Sequence, residues 1–205
     1  MNNVSFTLYD THIKSNYFYT KLIAKKAKSL PNLQKWSAHF DYDIICKDVY
    51  IKKIKDQPEV KYSEFNFKIF NCILATNSML YKWKKSNTKS CIYCTCDDHT
   101  SEHLLVECSH VSPLWQKLEM YFNDVINWEA IVTGKSLTKL QNIVVTILCF
   151  VVYKKFTIER TQNTRQDLIS YIIAQMRYVK LKYSNIVSMV SLTQNIQDVI
   201  EILQA

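Results

Sequence analysis

Residues 91–110 read CIYCTCDDHTSEHLLVECSH. Three of the chain's seven cysteines fall within six residues, a fourth follows at Cys108, and three of its five histidines lie among them. Such a cluster serves as a redox pair, a disulfide staple, a catalytic metal site or a structural one. Spacing favours the last. Cys91 and Cys94 form a Cys-x2-Cys pair, His103 follows after eight intervening residues, and Cys108 after four more. Two thiolates two residues apart turn a tight knuckle around one ion, and a second pair beyond a short loop completes a tetrahedron. Sulfur mixed with imidazole suits Zn2+. Four protein ligands leave no position for water, so the expected site is structural and not hydrolytic. The expected ligands of one zinc are Cys91, Cys94, His103 and Cys108. Cys96 sits too close to Cys94 to share the knuckle, and His99 lies inside the loop that must close. Both are expected to be bystanders, as is His110, the nearest substitute for a chosen ligand.

The other chemistries fit less well. A thioredoxin-type redox pair needs a βαβ setting, which the flanks do not show. An odd number of cysteines argues against a disulfide framework. The N-terminal MNNVSFTLYDTHIK has no basic leader followed by an apolar block, so no secretory signal is expected. An intracellular location, nucleus or cytoplasm, with reduced thiols follows as the expectation. The apolar run Ile143–Tyr153 is too short to span a bilayer and reads as a buried helix. Cys46, Cys72 and Cys149 sit in apolar helical settings and read as core residues.

A single glycine, Gly134, and three prolines indicate the fold class. Hairpins rely on glycine at positive φ, and this chain has almost none. No glycine-rich phosphate cradle can be written, which excludes a P-loop and a dinucleotide fingerprint. The expectation is an all-α, multi-helix domain of seven to nine helices with a CCHC knuckle embedded in it. Phe65, Ile69, Cys72 and Ile73 share one helical face, with Ser63 as the expected cap. Ser112 and Pro113 open a helix carrying Leu114, Trp115, Leu118 and Phe122. Thr164 and Asp167 make a capping-box pattern ahead of Leu168, Ile172, Met176, Val179 and Tyr183.

Charge divides the chain into three segments. The net charge is +8. Residues 1–90 hold 16 Lys and Arg against 7 acids, residues 91–113 hold four acids and no base, and residues 114–205 hold 10 bases against 7 acids. A basic 1–90 helical segment, a 91–113 zinc module and a 114–205 helical segment are the expected divisions. A positive surface favours an anionic partner such as RNA or DNA. The stretch YKWKKSNTK supplies Lys82, Trp83, Lys84, Lys85 and Lys89 as expected contacts, and Tyr81, Trp83 and Tyr93 could stack on bases. Two plainer readings stand beside this. Lysine runs also occur on solvated helix faces. Leu80 and Trp83 at helical spacing also fit a core.

The run from Phe65 to Trp115 resembles the zinc-binding region at the C-terminal end of LINE-type (non-LTR) retrotransposon reverse transcriptases. The residues that carry the resemblance are Leu74-Ala75-Thr76-Asn77, Leu80 to Trp83, Cys91, Cys94, Glu102 to Leu105, Cys108 and Trp115. The resemblance implies the same four ligands, nucleic-acid binding, and the polymerase part of a retroelement protein as a partner. It does not carry catalysis across. The family's paired aspartates lie upstream of its zinc region. Here the one Asp-Asp, Asp97-Asp98, lies inside the zinc loop, and Asp41 and Asp43 are separated by a residue. Two-metal catalysis needs carboxylates on a rigid scaffold. The expected protein is no enzyme, has no small-molecule substrate and no membrane partner. The alternatives are a zinc-stapled structural or protein-interaction domain and a non-functional fragment of a retroelement.

Overall fold

The structure, a computed structural model, describes residues 53–162 and 164–205. Cys46, Asp41 and Asp43 lie outside them. Seven α-helices follow one another among the described residues: α1 Val60–Phe70, α2 Asn77–Lys82, α3 Ser112–Phe122, α4 Trp128–Thr133, α5 Lys139–Gln162, α6 Leu168–Tyr183 and α7 Val190–Gln204. A π-helical turn, His103–Glu107, and a 3-10 turn, Val187–Met189, complete the order. The described residues contain no strand, so the fold is all-α, as glycine scarcity implies.

Helix α5 is the hub. It packs against α1, α4, α6, α7 and the π turn. Ile147, Leu148 and Phe156 are fully enclosed along it. The helix outruns the apolar stretch that predicts it and, by length and composition alone, could cross a membrane, but 61% of its apolar window is buried inside the protein. Its polar residues are matched internally. The Asn66 amide donates to Thr146 Oγ1 at 3.3 Å, which gives the buried threonine a partner.

Local signals hold in part. Leu168, Ile172, Met176, Val179 and Tyr183 are all buried on α6, as their spacing predicts. The cap differs: Asp167 itself is the N-cap, accepting the Ser170 N–H at 2.7 Å, and Thr164 lies before it. Pro113 occupies the first turn of α3, with Val111 rather than Ser112 as the N-cap. Helix α1 starts earlier than its Ser63 cap predicts, with Glu59 at the N-cap. Ser63 Oγ instead donates to the Ile54 carbonyl at 2.8 Å. Helix α1 also ends earlier. Cys72 adopts a left-handed φ of 54°, and the Ile73 N–H closes back on the Lys68 carbonyl at 3.0 Å. That is a Schellman end. It takes Cys72 and Ile73 off the helical face, and Ile73 is 41% exposed.

Lys53 is buried beneath α4, and its ammonium donates to the carbonyls of Ala130 (3.4 Å) and Ile131. These lie near the negative end of that helix. Burial nevertheless pushes Lys53 down to about 8. Between that value and the ordinary lysine range the unfolded chain binds more protons than the folded one, so stability rises with pH there. Below pH 8 the cost of the buried charge is fully present. From pH 7 to 9.5 the parent should gain about 2 kcal/mol relative to Lys53→Met. Denaturant melts of both proteins at the two pH values check this, and a gap that stays flat or moves the other way would contradict it.

Candidate metal centre

The knuckle forms between α2 and α3. The Cys91 N–H donates to the Cys96 carbonyl at 2.9 Å, and the Tyr93 N–H points at Cys91 Sγ at 3.4 Å. The second ligand pair comes from the π turn. Thr100 Oγ1 accepts the His103 N–H at 3.0 Å at its start, and the Cys108 N–H closes on the His103 carbonyl at 2.8 Å. This i→i+5 closure sets residue 108 over residue 103 and brings both side chains to one side. Interrupted helices of this kind occur often at functional sites.

The ligand atoms of Cys91, Cys94, His103 and Cys108 all lie within 4.8 Å of one another and could hold a metal ion. Cys108 Sγ is 3.8 Å from Cys91 Sγ and 4.0 Å from Cys94 Sγ, and Cys94 Sγ is 3.2 Å from His103 Nε2. A tetrahedron with metal–sulfur bonds of about 2.3 Å has sulfur–sulfur edges of about 3.8 Å. The four residues therefore fit a small tetrahedral ion. The other ring nitrogen, His103 Nδ1, faces Glu107 Oε2 at 3.9 Å. The Cys91 thiol is drawn well below its ordinary range, chiefly by the Cys108 thiol beside it, with smaller help from the His99 ring and the Tyr93 and Cys94 amides. Cys108 is pushed up by the same contact.

The centre is tied to the fold by the residues around it. Thr76 caps α2 by accepting the Met79 N–H. The Asn77 side chain donates to the Ser90 carbonyl at 2.7 Å, just before Cys91. The Ser78 hydroxyl donates to Asp98. Trp115 Nε1 donates to the Leu105 carbonyl at 2.7 Å, fixing the π turn against α3. Arg160 and Arg165 reach from the end of α5 and beyond it to the carbonyls of Ala75 and Ile92, at 3.0 and 3.1 Å.

Two expectations change. Tyr93 is not free to stack on a base: its ring stacks on His110 at 4.4 Å and its hydroxyl donates to Glu159 at 2.5 Å. His110 lies outside the four residues whose ligand atoms converge, as expected of a bystander. Glu159 is itself buried, and burial alone would raise it. Hydrogen bonds from Lys155, Tyr93 and the Gln166 N–H outweigh this and hold it below the usual carboxylate range. Trp83 is not core. It is 47% exposed, because α2 ends at Lys82 and Lys84 turns left-handed with φ 56°. Lys82, Lys84, Lys85 and Lys89 are exposed beside it. His99 stays outside the four converging residues, as expected, and is fully enclosed.

Compared with protein-family models, with curated proteins and with solved structures, the chain matches none.

Proposed function

We propose that the chain is a nucleic-acid-binding module for RNA or DNA, built around one structural Zn2+ held by Cys91, Cys94, His103 and Cys108. The observation that carries the reading is the exposed strip Lys82, Trp83, Lys84, Lys85 and Lys89. Its C-terminal end is held beside the metal centre by the His99 N–H on the Lys89 carbonyl and the Asn77 side chain on the Ser90 carbonyl. Zn2+ matches the donor set of three sulfurs and one imidazole. When bound it supplies a crosslink between the knuckle and the π turn. Lysines then meet phosphates while Trp83 offers a face for base stacking. The likeness to retrotransposon reverse transcriptases supports the same reading, since its Leu-Ala-Thr-Asn run and Trp115 are the residues that brace this centre. On this reading the chain serves a separate polymerase part and has no polymerase or nuclease site of its own. Single-stranded RNA should bind the zinc-loaded chain at low salt, with affinity falling steeply as salt rises. Absence of binding at low salt to single-stranded RNA and to DNA alike would refute the proposal.

A second reading has its own observation. Tyr178, Leu181, Val187 and Val190 are 59–90% exposed where α6 gives way to α7. An apolar edge of this kind suits a zinc-stapled protein-interaction domain.

A further inference from the structure

Arginine is rare in this chain. Of its 26 basic residues only three are arginines, Arg160, Arg165 and Arg177, and the rest are lysines. Two of the three, Arg160 and Arg165, line one cavity of about 90 Å3, together with Ile92, Tyr93, Glu159 and Thr164. The end of α5 and the turn into α6 meet the knuckle there. Both guanidiniums are held by backbone: Arg160 Nη1 donates to the Ala75 carbonyl at 3.0 Å, and Arg165 Nη2 to the Ile92 carbonyl at 3.1 Å. Arg160 also sits over the Phe156 ring, 5.1 Å from its centroid. A guanidinium has five N–H donors and keeps its charge, so one bond each leaves most of its donors free. Among the described residues neither arginine has an ion-pair partner. Glu159, the one acid in the lining, is engaged elsewhere: its oxygens accept from Lys155, the Tyr93 hydroxyl and the Gln166 N–H. Lys155 answers its charge, and the two arginine charges stand unanswered. The knuckle's acids, Asp97, Asp98, Glu102 and Glu107, do not line the cavity.

Two anchored forks with free donors and unanswered charge suit an oxyanion. A guanidinium meets phosphate with two parallel hydrogen bonds, where an ammonium acts as a point charge. That difference gives arginine a reason at these two positions of a lysine-rich chain. The volume is far below the roughly 300–1,000 Å3 of pockets that take whole small molecules, so the occupant is a single group. We propose that this cavity is a site for one phosphate group, clamped between Arg160 and Arg165 with Thr164 beside them. The site stands on the arginines and not on the lysine strip. Ile92 lies three residues beyond Lys89, so their Cα atoms are at most ~11 Å apart. A strand lying on the strip, as proposed above, would bring a backbone phosphate to the cavity. A free phosphate offers the same chemistry.

The test titrates the full, isotopically labelled chain with inorganic phosphate, and with sodium chloride at matched ionic strength, while the Nε–H signals of the three arginines are followed. Arg160 and Arg165 should shift together along one saturation curve with phosphate. Arg177 should not follow them, and chloride should not reproduce the shift. Arg160→Lys and Arg165→Lys each keep the charge and a donor for the carbonyl but lose the fork. Each should weaken phosphate by about tenfold. Single-stranded RNA at low salt should move the same two signals. A response to inorganic phosphate without one to RNA would uphold the site and identify a small free phosphate as its ligand. A phosphate response in a chain that binds neither RNA nor DNA would uphold it too, and refute the nucleic-acid reading. RNA that binds while both probes leave Arg160 and Arg165 no more perturbed than Arg177 would overturn this inference alone. Lysine variants that hold phosphate as tightly as the parent would also overturn it.

Discussion

Cys94→Ser and His103→Ala should each release the metal and loosen residues 76–111 while most of the helical signal survives. The parent should carry one zinc per chain, removable by chelation. A structural zinc contributes about 10–16 kcal/mol of apparent binding energy, all of it coupled to the local fold. Losing a ligand should therefore weaken the metal by more than the roughly 100-fold that an outer partner is worth. The helices α5, α6 and α7 pack on one another and bury Ile172, Met176 and Ile196 in their own core. The knuckle itself holds almost no apolar core beyond Leu104 and Leu105, and its loop is closed by polar contacts to Asn77 and Ser78. Metal analysis together with amide exchange separates these outcomes. Stoichiometric zinc in a Cys91/Cys108 double variant would show that other residues hold it.

Replacing Lys82, Lys84, Lys85 and Lys89 together by Ala should abolish most binding to nucleic acid and leave metal content and helicity intact. If all four touch phosphates, the log–log salt slope should flatten by about 3 units on single strands and by 3 to 4 on duplex DNA. Trp83→Ala should cost a further 1–3 kcal/mol, roughly, if the ring stacks on a base. The metal loop should behave oppositely. Three thiolates and one imidazole around a divalent ion leave a charge of about −1, and Asp97, Asp98, Glu102 and Glu107 bring the segment to about −5. Such a surface repels phosphate. Asp97→Asn with Asp98→Asn should leave binding unchanged or tighten it, since an amide oxygen can still accept the Ser78 hydroxyl. A lysine variant that binds like the parent, beside an aspartate variant that loses affinity, would place the contact on the loop instead.

The spacing of Cys91, Cys94, His103 and Cys108 makes the four legible in the sequence as one group, and the fold brings their side chains together where they could hold an ion. The π turn itself is not legible. HLLVE has ordinary helix-forming residues, and only the closure of Cys108 on His103 reveals the wider coil. Glycine scarcity points correctly to an all-helical fold, yet it conceals where helices end. Cys72, Lys84 and Asn123 take the left-handed positions that glycine would mark. Helix α2 is therefore shorter than its spacing suggests, and Trp83 swings out of the core. His99 illustrates a third limit. Its partners are Asn77 and Phe156, distant in sequence, so nothing nearby distinguishes it from an idle loop histidine. Tyr93 is similar: its occupation by His110 and Glu159 depends on the far end of α5.

The most direct test of a lysine strip held by a metal centre is hydrogen–deuterium exchange on the zinc-loaded chain, with and without single-stranded RNA at low salt. Protection should concentrate at residues 81–90, and residues 95–98 should exchange as they do in the free protein. Protection confined to residues 95–98, or to the α6–α7 edge with none at 81–90, would contradict the account.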